Sequence, residues 1–353
     1  MRFGIFLAYE RTHAPEHYGG ANLYDEMLEQ AVLADELGFE VIWIPEHHLI
    51  HFAQAPSATV LCTQIGLNVR CTVATMVILA TYRHPLITAG EIAAVDNILH
   101  GRFEVGLGRG AYPYEFERLQ IPFDTAKERV WEAVEVLEQI WHSPDAGVEF
   151  RGEFFEFASS YVWPRPYQQP HPPLWIAGMT LPTIDRAARA GYNVTTWPFV
   201  REMAVLEDAA RTFHAGREAA GGRRGEQRFG VLRGTYTART EERARAQAAE
   251  VLIGHRINQR LRNFEENSDP RGYVTPDPGP GEPSLDDVYT NLIWGTPEQC
   301  LDKLRAYDAL GVDDLLLSFH GEHDVAMESM RVFAEGVMAP FRDGQAAVAG
   351  ARP

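Results

Sequence analysis

Three short stretches concentrate the side chains that could do chemistry. Residues 43–48 read WIPEHH, an apolar run that ends in an acid and two adjacent histidines. Neighbouring residues on extended backbone point to opposite sides, so His47 and His48 do not easily share one metal ion, as H-x-H or H-x-x-x-H spacing would allow. One imidazole is expected to face a site and the other to pack behind it or reach solvent. A neutral imidazole with a pKa of about 6.5 suits proton transfer. A merely structural histidine is the equal alternative, and His51 reads as loop surface.

Residues 103–116 read FEVGLGRGAYPYEF. The glycines formally match a dinucleotide-binding pattern, but Pro113 follows too soon for a long helix to open there. What they do permit is close approach of backbone to a ligand, with Arg109 presenting a permanently charged fork suited to phosphate. A surface arginine paired with a carboxylate is the simpler alternative on chemistry alone. The third stretch, AGMTLPTIDRAARAG (177–191), places Thr180 and Thr183 at the start of a helix with Pro182 in its first turn. Unpaired N–H groups and hydroxyls there make an anion pocket.

These stretches must be positioned by the elements around them. RFGIFL (2–7), FEVIWIP, VRCTVATMVIL (69–79), RFEVGLG, PPLWIAG, YNVTTW, RFGVLRGTY and VDDLLLSF (312–319) read as buried strands, and most are separated by amphipathic helices. VEFRGEFFEF reads as an antiparallel hairpin turning at Arg151-Gly152, an insertion rather than one of the series. Eight strands alternating with helices favour a (β/α)8 TIM barrel with insertions over an open doubly wound sheet. No domain boundary interrupts 1–345, and 346–353 reads as a C-terminal tail. NSDPRGYVTPDPGPGEPS (267–284) is too rich in Pro and Gly for packed structure and is expected to be a lid over the site. In a parallel barrel the chemistry sits at the C-terminal strand ends, which gathers Glu46 to His48, Thr75 and Met76, residues 108–110, 178–183 and His320.

The 353 residues carry a formal charge of −17, which disfavours nucleic acid and anionic membrane surfaces as partners. No apolar run reaches the roughly 20 residues of a membrane span, and the N-terminus lacks a signal-peptide core, so a cytoplasmic protein is expected. Cys62, Cys71 and Cys300 form no C-x-x-C and read as small buried hydrophobes, with no metal site implied.

Taken together, WIPEHH, TMVILATYRHPLITAGEIAAVDNILHGRFEVGLGRGAYPYEF, KERVWEAVEVL and PLWIAG followed by a Thr-rich helix start resemble the bacterial luciferase-like flavin-dependent monooxygenases over most of the chain. The resemblance implies a luciferase-like barrel, usually dimeric, that binds reduced FMN at the C-terminal mouth and activates O2 as a flavin C4a-hydroperoxide. It places the catalytic histidine at His47, phosphate arginines at Arg109 and Arg129, and the phosphate loop at Met179, Thr180 and Thr183. A cis non-proline peptide beneath the flavin ring would fall at Met76-Val77, with Tyr112 as an aromatic near the ring. Luciferase α-chains have a cysteine where this chain has Gly108, so light emission is not implied.

The expectation is an FMNH2-dependent two-component monooxygenase acting on an aldehyde, ketone or aromatic, homodimeric or heterodimeric, and fed by a separate NAD(P)H:flavin reductase. An F420-dependent oxidoreductase is the runner-up, followed by a non-catalytic flavin carrier and a metal-dependent barrel hydrolase. An intermediate exposed to water decays to H2O2, so the mouth needs an apolar wall and closure. Phe6, Trp43, Trp197, Trp294 and Phe319 are candidates for that wall, each also a candidate for plain core.

Overall fold

The chain forms a ring of eight parallel strands. They are β1 (Arg2–Phe6), β2 (Val41–Ile44), β3 (Thr72–Thr75), β4 (Phe103–Gly108), β5 (Leu174–Ala177), β6 (Asn193–Thr196), β7 (Phe229–Thr237) and β8 (Asp314–Phe319). Each pairs with its successor, and β8 pairs back with β1, with Leu316 opposite Gly4, so the sheet closes. The computed structural model describes residues 1–8, 20–143, 147–222 and 226–350.

Side chains fill the ring. Val41, Trp43, Ala74, Trp175, Leu232 and Leu316 form the interior cluster, with Phe6, Met76 and Trp197 packed against it. Gly4 leaves the room Trp43 takes: a Cβ there would lie 2.8 Å from the indole Nε1. Trp43 meets Trp175 edge to face at 5.2 Å, which is why Trp43 belongs to the core and not to the mouth. Two other wall candidates are corrected in the same way. Trp294 is fully buried and donates its indole N–H to the Ala244 carbonyl, while Phe319 packs on Phe39 and Phe333 outside the ring.

The expected elements appear with three differences. The run 69–79 is broken into β3 and the two-residue strand Ile78–Leu79. A short strand, Ile293–Gly295, adds to the end of β7 beyond the closed ring. The C-terminal helix Ala339–Gly350 runs past residue 345, so the tail expected from 346 is helical through 350. The hairpin Val148–Arg151 and Glu156–Ser160 is antiparallel and outside the barrel, as its composition implies.

The N-terminal end of the ring is closed by charge. Glu104 accepts from Arg2 at 2.8 Å, from Arg228 at 2.8 Å and from the Trp175 indole at 2.7 Å. Burial opposes its ionisation, but Arg2 and Arg228 outweigh that and hold the carboxyl below its usual range. Asp314, also bonded to Arg2, is pushed up to about 6 by burial against the same arginines. Glu104→Gln removes one charge from a buried group of four and leaves two guanidiniums short of their partner. We expect a stability loss of about 3–5 kcal/mol in urea unfolding at pH 7. Because the folded-state pKa is depressed, the difference from wild type should be full above the usual carboxylate range and shrink as pH falls below it.

Candidate functional site

At the C-terminal rim, Pro45 ends β2 and the chain enters a loop that two buried carboxylates organise. Glu46 accepts from the Arg83 guanidinium at 3.1 Å, from the backbone N–H of Ala58 and Leu79, and lies 3.1 Å from His48 Nε2. Glu115, fully buried on the short helix Pro113–Arg118, accepts from the His48 backbone N–H at 2.6 Å and from the Tyr82 hydroxyl at 3.2 Å. Burial and Glu115 push the Tyr82 phenol up, so it stays protonated and donating.

The two histidines part as adjacent residues must. His48 turns back to Glu46 and Tyr82. His47 turns the other way, its Nδ1 3.6 Å from Glu115 Oε1 and its ring 5.2 Å from that of Tyr112. Nδ1 is buried and makes no hydrogen bond, which leaves it poised between carboxylate and ring. His51 corrects the loop-surface expectation: its ring packs on Tyr273 at 4.7 Å, and burial lowers its pKa.

The peptide Met76-Val77 is cis, between β3 and the strand Ile78–Leu79. Gly108 lies against it: a Cβ at 108 would sit 2.4 Å from Val77 Cγ2, so the space a side chain at 108 would need is taken up by valine. The Met76 thioether accepts from the Thr195 hydroxyl at 3.0 Å. Gly110 has φ +92°, and its Cβ would meet the Tyr82 hydroxyl at 2.8 Å, so both glycines flanking Arg109 are sterically required.

Arg109 is exposed and rests on the Phe123 ring at 4.9 Å, with no carboxylate among the described residues within ion-pair distance. Arg129, half-buried on the helix Ala126–His142, lies over Phe155 at 4.7 Å, and burial lowers its pKa. Thr81 joins the two, its carbonyl accepting from Arg129 Nε at 2.9 Å and its hydroxyl donating to the Arg109 carbonyl at 2.7 Å. Thr180 caps the helix Leu181–Arg189, its hydroxyl 3.0 Å from that of Thr183, beside an exposed Met179. That helix is tied to the Arg129 helix through Arg186 and Glu128 at 2.9 Å. No hydrogen bond or ion pair joins Met179, Thr180 or Thr183 to either arginine among the described residues.

A partly open pocket lies beside this cluster, lined by Phe52, Trp197, Phe199, His255, Asn258 and His320 among others. Asn258 links it to the histidine, donating to the Tyr112 hydroxyl at 2.6 Å. Of the proposed wall residues, Trp197 lines the cavity, and Phe6 packs near it in the interior cluster. The stretch 267–284 is more ordered than its composition suggests. Val274 is fully buried with Phe52, Tyr112 and Phe264, and Ser268 bridges Val274. Residues 9–19 lie outside the described residues.

Glu115, Thr81 and Asn258 were not legible as site residues. Glu115 had a signal, an acid set between Tyr114 and Phe116 three residues after Tyr112. Thr81 and Asn258 had none, since their roles depend on contacts 48 and 146 positions away in sequence. Among the described residues no group of three or more His, Cys, Asp or Glu is placed to hold a metal, and no helix is long and apolar enough to cross a membrane.

The model of the luciferase-like monooxygenase family matches residues 1–314. The chain belongs to that family. Flavin-dependent trigonelline monooxygenase, oxygenase component, of Acinetobacter baylyi is 30% identical over 324 residues, covering 89% of this chain and 88% of that protein. An FMNH2-dependent dimethylsulfone monooxygenase of Pseudomonas putida is 28% identical over 255 residues, 68% of each. The crystal structure of monooxygenase RslO1 from Streptomyces bottropensis superposes with a TM-score of 0.81 at 26% identity, covering 97% of this chain and all of that one. The luciferase-like barrel expected from the sequence is therefore the fold, and this family member is an oxygen-incorporating enzyme.

Because Gly108 leaves the space that Val77 occupies, Gly108→Ala should cost about 1–3 kcal/mol by overpacking, read as a lowered midpoint in thermal unfolding. Ala111→Gly, at the exposed end of the same loop, is the control and should shift the midpoint by far less.

Proposed function

We propose that this protein is the oxygenase component of a two-component, FMNH2-dependent monooxygenase of small organic substrates, supplied by a separate NAD(P)H:flavin reductase. One observation carries the reading. Arg109, without a carboxylate partner among the described residues, and Arg129 are held on either side of Thr81, on the same rim as His47 and Tyr112. In this reading the two arginines take the cofactor phosphate, helped by Thr180, Thr183 and the backbone at Met179. Met76, Val77, Tyr112 and His47 would hold the cofactor's ring. Bound reduced FMN supplies the electrons that activate O2.

The side chains then have separate tasks. His47 holds or returns a proton at Nδ1 or Nε2, oriented by Tyr112 and by the buried Glu115 carboxylate. Phe52, Trp197 and Val274 keep water from the reacting atoms, with 267–284 as the closing segment. The neighbouring helices Ala58–Gly66 and Pro85–Ile98 expose Val60 and Ile87 at more than 60%, together with Leu67 and Ile98, which supports a dimer. The relatives' FMNH2 and flavin dependence supports FMN over F420.

Titration with reduced FMN and with reduced F420, followed by oxygen uptake, tests the assignment. We expect reduced FMN to bind and O2 to be consumed; tight F420 binding without uptake would overturn it. Arg109→Ala should weaken FMN binding by tenfold or more, about 1.4 kcal/mol or above. His47→Ala should leave FMN affinity within threefold while product formation falls about 10²–10⁴-fold. The lost product should appear as H2O2, measured by peroxidase coupling. Val60→Glu with Ile87→Glu should shift the protein to monomer in sedimentation velocity.

A further inference from the structure

The cavity beside His47 has a chemical character that narrows the substrate. Its walls are Phe52, Trp197, Phe199, Val251 and Leu292, and its polar groups are His255, Asn258 and His320. Among the described residues, none that lines it is an acid, a lysine or an arginine. Of the charges close by, Arg256 beside His255 is paired with Glu282, and Arg233 is fully buried, donating to the Tyr307 hydroxyl at 2.8 Å and to the carbonyls of Phe199 and Arg201 at 2.6 and 3.2 Å.

Those last two bonds build the wall. Phe199 has φ +53°, a conformation that L residues rarely adopt, and the Arg233 guanidinium holds its carbonyl in place. The ring of Phe199 then stacks on Trp197 at 4.0 Å, giving one flat aromatic side. Opposite it, the helix Glu241–Arg260 presents His255 and Asn258 one turn apart. His320 follows β8, its Nε2 3.0 Å from where a Cβ on Gly234 would lie, so Gly234 leaves the imidazole its place. Burial drives His320 down to about 4 and lowers His255, so both rings are neutral at pH 7 and each offers one N–H and one lone pair. His255 Nδ1 is buried without a hydrogen bond.

We propose that this cavity is the substrate subsite and that it takes an uncharged aromatic molecule bearing a carbonyl, which packs against the Trp197–Phe199 pair and accepts a hydrogen bond from His320 or His255. A cationic or anionic ring would lose its hydration with no opposite charge among the described lining residues to replace it. The proposal rests on the oxygenase reading and sets this chain apart from a relative named for trigonelline, a zwitterion. Asn258, bonded to Tyr112, is the positioning residue that couples the occupied cavity to His47.

Four molecules of nearly one shape test this by isothermal calorimetry on the full chain: acetophenone, ethylbenzene, benzoate and N-methylpyridinium. Acetophenone should bind at least tenfold more tightly than either ion and about fivefold more tightly than ethylbenzene. His320→Phe should abolish the preference over ethylbenzene while keeping the discrimination against the ions. If that variant does not fold by circular dichroism, His255→Leu gives the same comparison. Trp197→Ala should weaken both neutral ligands together. Equal or tighter binding of benzoate or N-methylpyridinium, or an unchanged preference in the histidine variants, overturns the proposal. A parallel titration with reduced FMN separates the two levels. If acetophenone binds and FMN does not, the oxygenase reading falls and the cavity assignment stands. If FMN binds and acetophenone does not, the cavity assignment falls alone.

Discussion

Two buried carboxylates hold together three strand ends that would otherwise be independent loops. Glu46 leaves β2 and takes N–H groups from the start of the next helix and from Leu79, together with the Arg83 guanidinium. Glu115 arrives from beyond β4 and takes the backbone of His48 and the hydroxyl of Tyr82. A carboxylate withdrawn from water is tolerable only when its lone pairs are filled. That requirement fixes the loops after β2, β3 and β4 relative to one another, and with them the direction in which His47 points. The barrel brings these ends to one rim; the carboxylates give the rim its shape.

Small residues set the tolerances of the same region. Gly4 admits Trp43 to the interior, Gly108 admits Val77, and Gly234 admits His320, each by the absence of one carbon. Interiors pack at crystal-like density, so each absence is matched by a particular neighbour rather than left as a void. The interior tryptophans Trp43 and Trp175 thereby fill the ring below the mouth, and the open volume lies above them, beside Trp197.

Strand order, ring closure and the hairpin insertion were legible because most strands are apolar-rich runs, several bounded by Gly or Pro, and period and punctuation are local properties. The positions of His47, Arg109 and the Thr180 helix start followed from the rule that loops after parallel strands share one end. The break in 69–79 was not marked by Pro or Gly, and the apolar run passes through it unchanged. Trp43 and Trp294 could not be told from mouth residues, because a tryptophan at a strand end reads the same whether it faces the cavity or the core. The packing within 267–284 was not legible for a related reason. Its Pro and Gly content argues against helices and strands, yet Val274 packs with Tyr112 and Phe52, and Asp277 and Glu282 pair with Arg260 and Arg256.

The short path from Met76 to Thr81 has a geometric consequence. Val77 is wedged against Gly108 at one end, and Thr81 is hydrogen-bonded between Arg109 and Arg129 at the other. On the proposed reading, the groups that would face the ring and the phosphate are mounted on a single six-residue ruler whose ends are both clamped. On that reading, such a ruler measures the length of what it grips. A cofactor whose charged group sits nearer to or farther from its ring could satisfy one clamp only by giving up the other.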